Sequence, residues 1–98
     1  MKIDFSKGLV DVSGEGLKDV KGNPATLRSV SIEALLATFQ DEQNLSGEDK
    51  MKRWLLASKV KDGNNDLTVE EVALIKSLIG KAYGTLVVGQ AWLMLEDK

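Results

Sequence analysis

The sequence predicts an α+β domain in which an N-terminal β-hairpin packs on a bundle of about four short helices. Two observations predict this class. Glycine and proline punctuate the first 25 positions, and apolar residues at helical spacing follow from residue 26 onward. We therefore expect a single domain over residues 1–98, with a hairpin region at 1–25 and a helical region at 26–98.

The hairpin region alternates short β-prone runs with turns. Residues 9–12 and 17–20 are the two predicted arms, and residues 13–16 form the turn between them. Residues 21–24 then turn the chain again. Because an isolated hairpin is marginally stable in water, it must lie on the helices or on a partner. We recognise no internal repeat and no linker.

Four helices are predicted in the helical region. Their ranges are residues 27–39, 47–59, 68–79 and 86–96. Thr26 or Ser29 can cap the first helix, and Ser46 can cap the second. Thr68 and Glu71 have the spacing of a capping box, in which each side chain satisfies the other residue's backbone N–H. The third helix therefore has a well-defined start.

The apolar face of the second helix is predicted from the spacing of its large side chains. That face would hold Met51, Trp54, Leu55 and Ser58. The two tryptophans, Trp54 and Trp92, are expected in the core, because the chain has few other aromatic side chains to fill it. An exposed recognition surface is the alternative for both.

Composition excludes several classes of function. The chain has no cysteine and no histidine, so disulfides, thiol nucleophiles, imidazole acid-base chemistry and the usual zinc sites are excluded. A net charge of −2 without a basic cluster argues against nucleic acid as a partner. Neither a membrane span nor a secretory signal is found, so we expect a cytoplasmic protein without a membrane partner.

Catalysis has weak candidates in this sequence. The candidate residues are Tyr83, Lys81, Ser46 and Ser58, together with the carboxylate pairs at 41/42, 48/49 and 70/71. The carboxylate pairs are adjacent in sequence, so their side chains point in different directions on a helix. We therefore predict that the protein is not an enzyme and has no catalytic residue.

Residues 60–71 resemble the twelve-residue calcium loop of an EF-hand. The candidate metal ligands in register with that loop are Asp62, Asn64, Asp66 and Glu71. Val60 stands where the loop needs its first carboxylate, so we expect no calcium binding at intracellular concentrations and no cofactor. Val60→Asp would restore the missing ligand. A weak divalent-ion-binding module remains the alternative function.

The C-terminal segment is the predicted interaction surface. Residues 86–95 are apolar on nearly every helical face, whereas a surface helix needs only one apolar stripe. Part of this segment should therefore remain available to a protein partner or to a second copy of the chain. The predicted interaction residues are Leu86, Trp92, Leu93 and Met94.

Residues 41–48 and 79–91, together with the opening residues 1–6, resemble a family of small proteins encoded by tailed bacteriophages and prophages. The resemblance implies a setting, which is the cytoplasm of a bacterial host during infection or lysogeny. It also implies action by binding other proteins, as an assembly factor or as a modulator of a host protein. It implies no ligand and no site residue.

Overall fold

Four α-helices form the body of the protein in a computed structural model that describes residues 2–19, 21–42, 44–63 and 66–96. They are α1 (Leu27–Leu36), α2 (Gly47–Lys61), α3 (Val69–Ala82) and α4 (Thr85–Glu96). A short 3₁₀ helix at Gln40–Glu42 lies between α1 and α2. All four predicted helices are present, although α1 ends three residues earlier than predicted and α2 extends two residues further.

Side-chain caps determine where the helices begin. At the start of α1, the Ser29 N–H donates to the Thr26 hydroxyl and the Thr26 N–H donates to the Ser29 hydroxyl. Ser46 caps α2 in the predicted manner. At the start of α3, Thr68 and Glu71 exchange hydrogen bonds of 3.1 and 2.8 Å, which confirms the predicted capping box.

The predicted α+β class is wrong, because the N-terminal region does not form a β-hairpin. Within the described ranges, the regular secondary structure is helical and the extended segments meet only at isolated β-bridges. These bridges join Gly8 to Thr26, Val10 to Gly16, Lys18 to Pro24 and Lys2 to Asp66. The protein is therefore a small helical bundle whose first 25 positions hold turns and bridges instead of a hairpin.

A closed ring of three backbone hydrogen bonds replaces the expected ladder. The Leu17 N–H donates to the Leu9 carbonyl at 2.9 Å, and the Ala25 N–H donates to the Leu17 carbonyl at 2.8 Å. The Leu9 N–H closes the ring by donating to the Ala25 carbonyl at 3.0 Å. Each of the three residues uses both its backbone N–H and its backbone carbonyl within the ring. Each pair of neighbouring segments is therefore joined by a single bridge instead of a ladder of hydrogen bonds.

The ring follows an eight-residue repeat that the sequence analysis missed. Asp11 and Asp19 each accept hydrogen bonds from the backbone N–H groups two and four residues further along the chain. Gly14 and Gly22 complete the two turns with φ angles of 93° and 84°, a region that favours glycine. The pattern Leu-x-Asp-Val-x-Gly therefore occurs twice, eight residues apart, and a comparison at that period would have found it.

One cluster of buried apolar side chains joins the ring to the helices. α1 packs against α2 and α3, and α4 packs against α3. The N-terminal segment contributes Ile3, Phe5 and Leu9 to the cluster, and α4 contributes Ala91 and Leu95. No helix in the described part of the chain is long and apolar enough to cross a membrane.

α2 turns a different face inward from the one predicted. Its buried residues are Arg53, Leu56, Ala57 and Val60. The predicted apolar face points outward instead, and Trp54 is 57% exposed, so its predicted place in the core is wrong. Arg53 can lie on the inner face because its guanidinium donates two hydrogen bonds, of 2.8 and 2.7 Å, to the Glu42 carboxylate.

Candidate interaction surface

The outward side of α2 carries the largest apolar side chains that this helix exposes. Met51, Trp54 and Leu55 are 57, 57 and 58% exposed, and they share one side of the helix because residues three and four apart are neighbours. We call these three residues the α2 face. Single exposed apolar residues are common, but a contiguous group of this size marks interaction surfaces in soluble proteins.

A groove of about 340 Å³ lies on the Trp54 side of the α2 face. Leu36 and Leu45 form its apolar walls together with Trp54, and Leu36 is itself more than half exposed. Lys50 and Arg53 supply polar atoms to the same groove. We call this the first groove. It is wide enough for an apolar side chain of a partner, and it extends the apolar surface from α2 to the end of α1.

A second groove, of about 350 Å³, lies on the Leu55 side between α2 and α3. Leu55, Leu56 and Leu74 line it with apolar atoms. Charged residues from both helices also line it, namely Lys52, Lys59, Glu70 and Glu71. The α2 face is thus a ridge with a groove on either side, which is the relief that an opposing helix with projecting side chains would match.

An ion-pair network fixes the floor of the first groove. The Glu42 carboxylate accepts from Arg53 and lies 3.1 Å from the Lys81 Nζ, while Lys81 also pairs with Asp41 at 3.0 Å. The Arg53 hydrogen bonds, aided by Lys81, lower the pKa of Glu42 to about 2. Glu42 is therefore ionised at neutral pH, and the network holds the segment after α1 against α2 and α3.

The structure separates the four predicted interaction residues of α4. Leu86 and Leu93, seven residues apart, share its outward side, and Leu93 is 72% exposed. Trp92 and Met94 lie on opposite flanks of that side, and Met94 is half-buried. Three of the four predicted residues, Leu86, Trp92 and Leu93, are therefore exposed, while Met94 is half-buried.

Trp92 is fastened to α3. Its indole N–H donates to the Lys76 carbonyl at 3.0 Å, and the Lys76 ammonium lies 4.8 Å from the centre of the indole ring. Lys76 also pairs with Glu96 at 2.8 Å, which holds the end of α4. The ring also lies against Gly80, where an added Cβ would be in van der Waals contact with it at 3.4 Å. Trp92 therefore packs α4 on α3, although 37% of it stays exposed.

Tyr83 and Lys81, the candidates for catalysis, are held in separate interactions. The Tyr83 hydroxyl donates to the Glu33 carboxylate, and burial together with this hydrogen bond raises the pKa of Tyr83 well above its ordinary value. The phenol is therefore protonated at neutral pH. Lys81 contacts Asp41 and Glu42 instead. Tyr83 therefore links the end of α3 to α1, and Lys81 links α3 to the 3₁₀ helix.

The calcium-loop candidates are only partly within the described residues. Asp62 is the exposed C-cap of α2, Asp66 is exposed at the bridge before α3, and Asn64 lies outside the described residues. Glu71 caps α3 and accepts from the Lys59 Nζ at 3.1 Å. Across the described ranges, no three acidic residues gather into a metal-binding group. Weak ion binding stays a prediction.

Val60, at the first position of the calcium-like loop, has a structural role. Its side chain is completely buried in the core. Val60→Asp would therefore place a carboxylate among apolar side chains, which costs several kcal/mol of stability by roughly the penalty for burying an unpaired charge. The substitution would therefore destabilise the fold at the same time as it supplied the missing carboxylate of the loop.

Comparisons of this chain with models of protein families, with curated proteins and with solved structures find no match. The functional argument therefore rests on the chain's own surface. The sequence predicted an inward apolar face from the residues of the α2 face, with an exposed recognition surface as the alternative for Trp54, and it gave no indication of the two grooves.

Proposed function

We propose that the protein acts without catalysis, by binding another protein through the α2 face. The observation that carries this proposal is the 57% exposure of Trp54, which lies between Met51 and Leu55. Tryptophan is highly buried on average in folded proteins, and it is enriched among the residues that contribute most to binding. Burying the α2 face would remove a contiguous apolar surface from water, which favours association.

The outward side of α4 supports a second, smaller contact in the same proposal. Leu86 and Leu93 are exposed there, as expected for part of the predicted surface. They would contact a protein partner or a second copy of the chain. Trp92 and Met94 would support that contact from its flanks, with Trp92 already committed to packing on α3.

We further propose a bacteriophage or prophage setting for this activity, in the cytoplasm of a bacterial host. Its support is the resemblance of residues 41–48 and 79–91 to small proteins of tailed phages and prophages. In that setting the protein would serve as an assembly factor or as a modulator of a host protein.

Affinity capture from phage-infected bacteria tests the proposed function. Wild-type protein, a Trp54→Ala/Leu55→Ala variant and a Val12→Ala control, at a residue that is 97% exposed and lies outside both proposed contacts, would be expressed at matched levels, and the captured proteins would be quantified by mass spectrometry. We expect at least one protein to be captured by the wild type and the control but lost from the α2 variant. Identical recovery by all three forms would contradict binding through the α2 face.

A further inference from the structure

We propose that the α2 face binds an acidic amphipathic helix of the partner protein. This inference rests on the proposed function and adds the chemistry of the partner. Its basis is the charge that borders the α2 face and the relief of the surface around it.

Lysines border the α2 face along both edges, because the helix repeats every 3.6 residues. One edge carries Lys50 and Lys61 on either side of Trp54, and the other carries Lys52 and Lys59 on either side of Leu55. Lys59 pairs with Glu71 of α3. The other three lysines are exposed and form no ion pair with any residue in the described ranges.

Most carboxylates near these lysines already have a role. Glu42 and Glu71 are each paired with a basic side chain of α2. Glu48 and Asp49 lie in the first turn of α2, where they stabilise the positive end of the helix dipole. Glu70 is exposed beside the second groove and offsets part of the charge there. Both edges, and the Trp54 edge above all, therefore present positive charge on a chain whose net charge is −2.

This arrangement favours one occupant over the others. Two α2 faces packed together would oppose lysine to lysine in either orientation, so a second copy is disfavoured by charge repulsion. A lipid surface offers no projecting side chains to fill grooves of about 340 and 350 Å³. A helix whose apolar stripe lies along the ridge and grooves, and whose acidic edges meet the lysines, matches both the relief and the charge.

Synthetic peptides test this inference without knowledge of the natural partner. Two dye-labelled peptides of about 18 residues, long enough to form a helix, would share one leucine stripe and carry either glutamate or lysine along both edges. Fluorescence anisotropy would measure their binding to the full chain. We expect the glutamate-edged peptide to bind about 10-fold or more tightly than the lysine-edged peptide, with the difference shrinking as salt is added.

Variants of the chain assign this binding to the α2 face. Lys50→Glu/Lys61→Glu should make the chain prefer the lysine-edged peptide. Trp54→Ala should weaken the binding of the glutamate-edged peptide by about 10-fold. Lys18→Glu/Lys21→Glu is the matched charge control, and Val12→Ala, at a residue that is 97% exposed, is the matched apolar control. Both controls should bind as the wild type does.

Four outcomes would overturn the inference. They are equal binding of the two peptides, binding of neither, binding to phosphatidylglycerol vesicles in place of the glutamate-edged peptide, and self-association in sedimentation that Trp54→Ala abolishes. If neither peptide bound but capture from cells still depended on Trp54, the acidic-helix partner would be wrong and the proposed function would stand. If capture also ignored Trp54, both would be wrong.

Discussion

The two tryptophans, Trp54 and Trp92, lie in different environments. Trp92 donates its indole N–H to α3, lies under a lysine and fits against Gly80. Trp54 makes no hydrogen bond with any described residue and lines the first groove. Trp54 is also the more exposed of the two residues, at 57% against 37% for Trp92. The contacts of the indole ring assign Trp92 to the stability of the fold and Trp54 to binding.

The largest expected effect is the loss of stability in Trp92→Ala. The substitution removes a mostly buried ring and leaves a gap against α3, so we expect it to cost about 2–3 kcal/mol of unfolding free energy. Trp54→Ala removes an open side chain and should change the unfolding free energy by less than about 0.5 kcal/mol. Urea unfolding followed by circular dichroism measures both. Equal costs would show that the two environments are alike.

A smaller loss of stability is expected from Gln90→Ala, because the Gln90 side chain also holds α4 in place through hydrogen bonds. The Gln90 side-chain amide accepts from the Val10 N–H at 2.8 Å and donates to the Val10 carbonyl at 2.6 Å, so it fastens α4 to the N-terminal ring. Water can replace these bonds because Val10 is exposed, and we expect a cost of about 1 kcal/mol. Leu93→Ala, on the exposed side of the same helix, is the matched control. If Gln90→Ala lowered the unfolding free energy no more than Leu93→Ala does, Gln90 would not hold α4 to the N-terminal ring.

The ion pair between Arg53, on the inner side of α2, and Glu42 should make the stability of the protein depend on pH. The pKa of Glu42 falls from an ordinary 4.5 to about 2 in the folded protein, so ionised Glu42 stabilises the fold above pH 4.5. That contribution is lost as the pH falls from about 4.5 toward 2. Urea unfolding across this range should show Glu42→Gln less stable than the wild type at neutral pH and converging with it near pH 2.

Other carboxylates with lowered pKa values, such as Asp4, Asp11 and Glu71, remain in the Glu42→Gln variant. The dependence of its stability on pH should therefore become shallower without disappearing. Parallel curves for the two proteins between pH 7 and 2 would contradict a role for Glu42 in holding the inner side of α2.

The smallest expected effect concerns calcium at the loop that follows α2. The loop lacks its first carboxylate, and Glu71 already caps α3 and pairs with Lys59, so calcium at about micromolar concentration should leave the backbone NMR shifts unchanged. A calcium response at Asp62 and Glu71 would shift the functional interpretation from the α2 face to this loop. Magnesium at the same concentration is the control for non-specific ionic effects.

Local signals in the sequence predicted the helices well. The Thr68 and Glu71 capping box fixed the start of α3 because both partners lie within one turn. The hairpin prediction failed because Leu9, Leu17 and Ala25 close a ring across eight-residue steps, and strand propensity contains no information about that closure. The turn residues located the two turns at Gly14 and Gly22, but the predicted strand arms meet only at isolated bridges.

The inward side of α2 could not be predicted from the helix alone. Its outward residues are larger and more apolar than Arg53, so a rule based on hydrophobicity chose the wrong side. The choice depends on Glu42, which lies in a different element and neutralises Arg53.

Acrylamide quenching of single-tryptophan variants tests the central contrast most directly. Trp92→Phe leaves only Trp54, and Trp54→Phe leaves only Trp92. We predict that Trp54 emits at the longer wavelength and is quenched more efficiently, because it is 57% exposed while Trp92 is 37% exposed and is packed on α3. Equal quenching of the two, or a protected Trp54 in the isolated protein at low concentration, would contradict the assignment of the α2 face as an open binding surface.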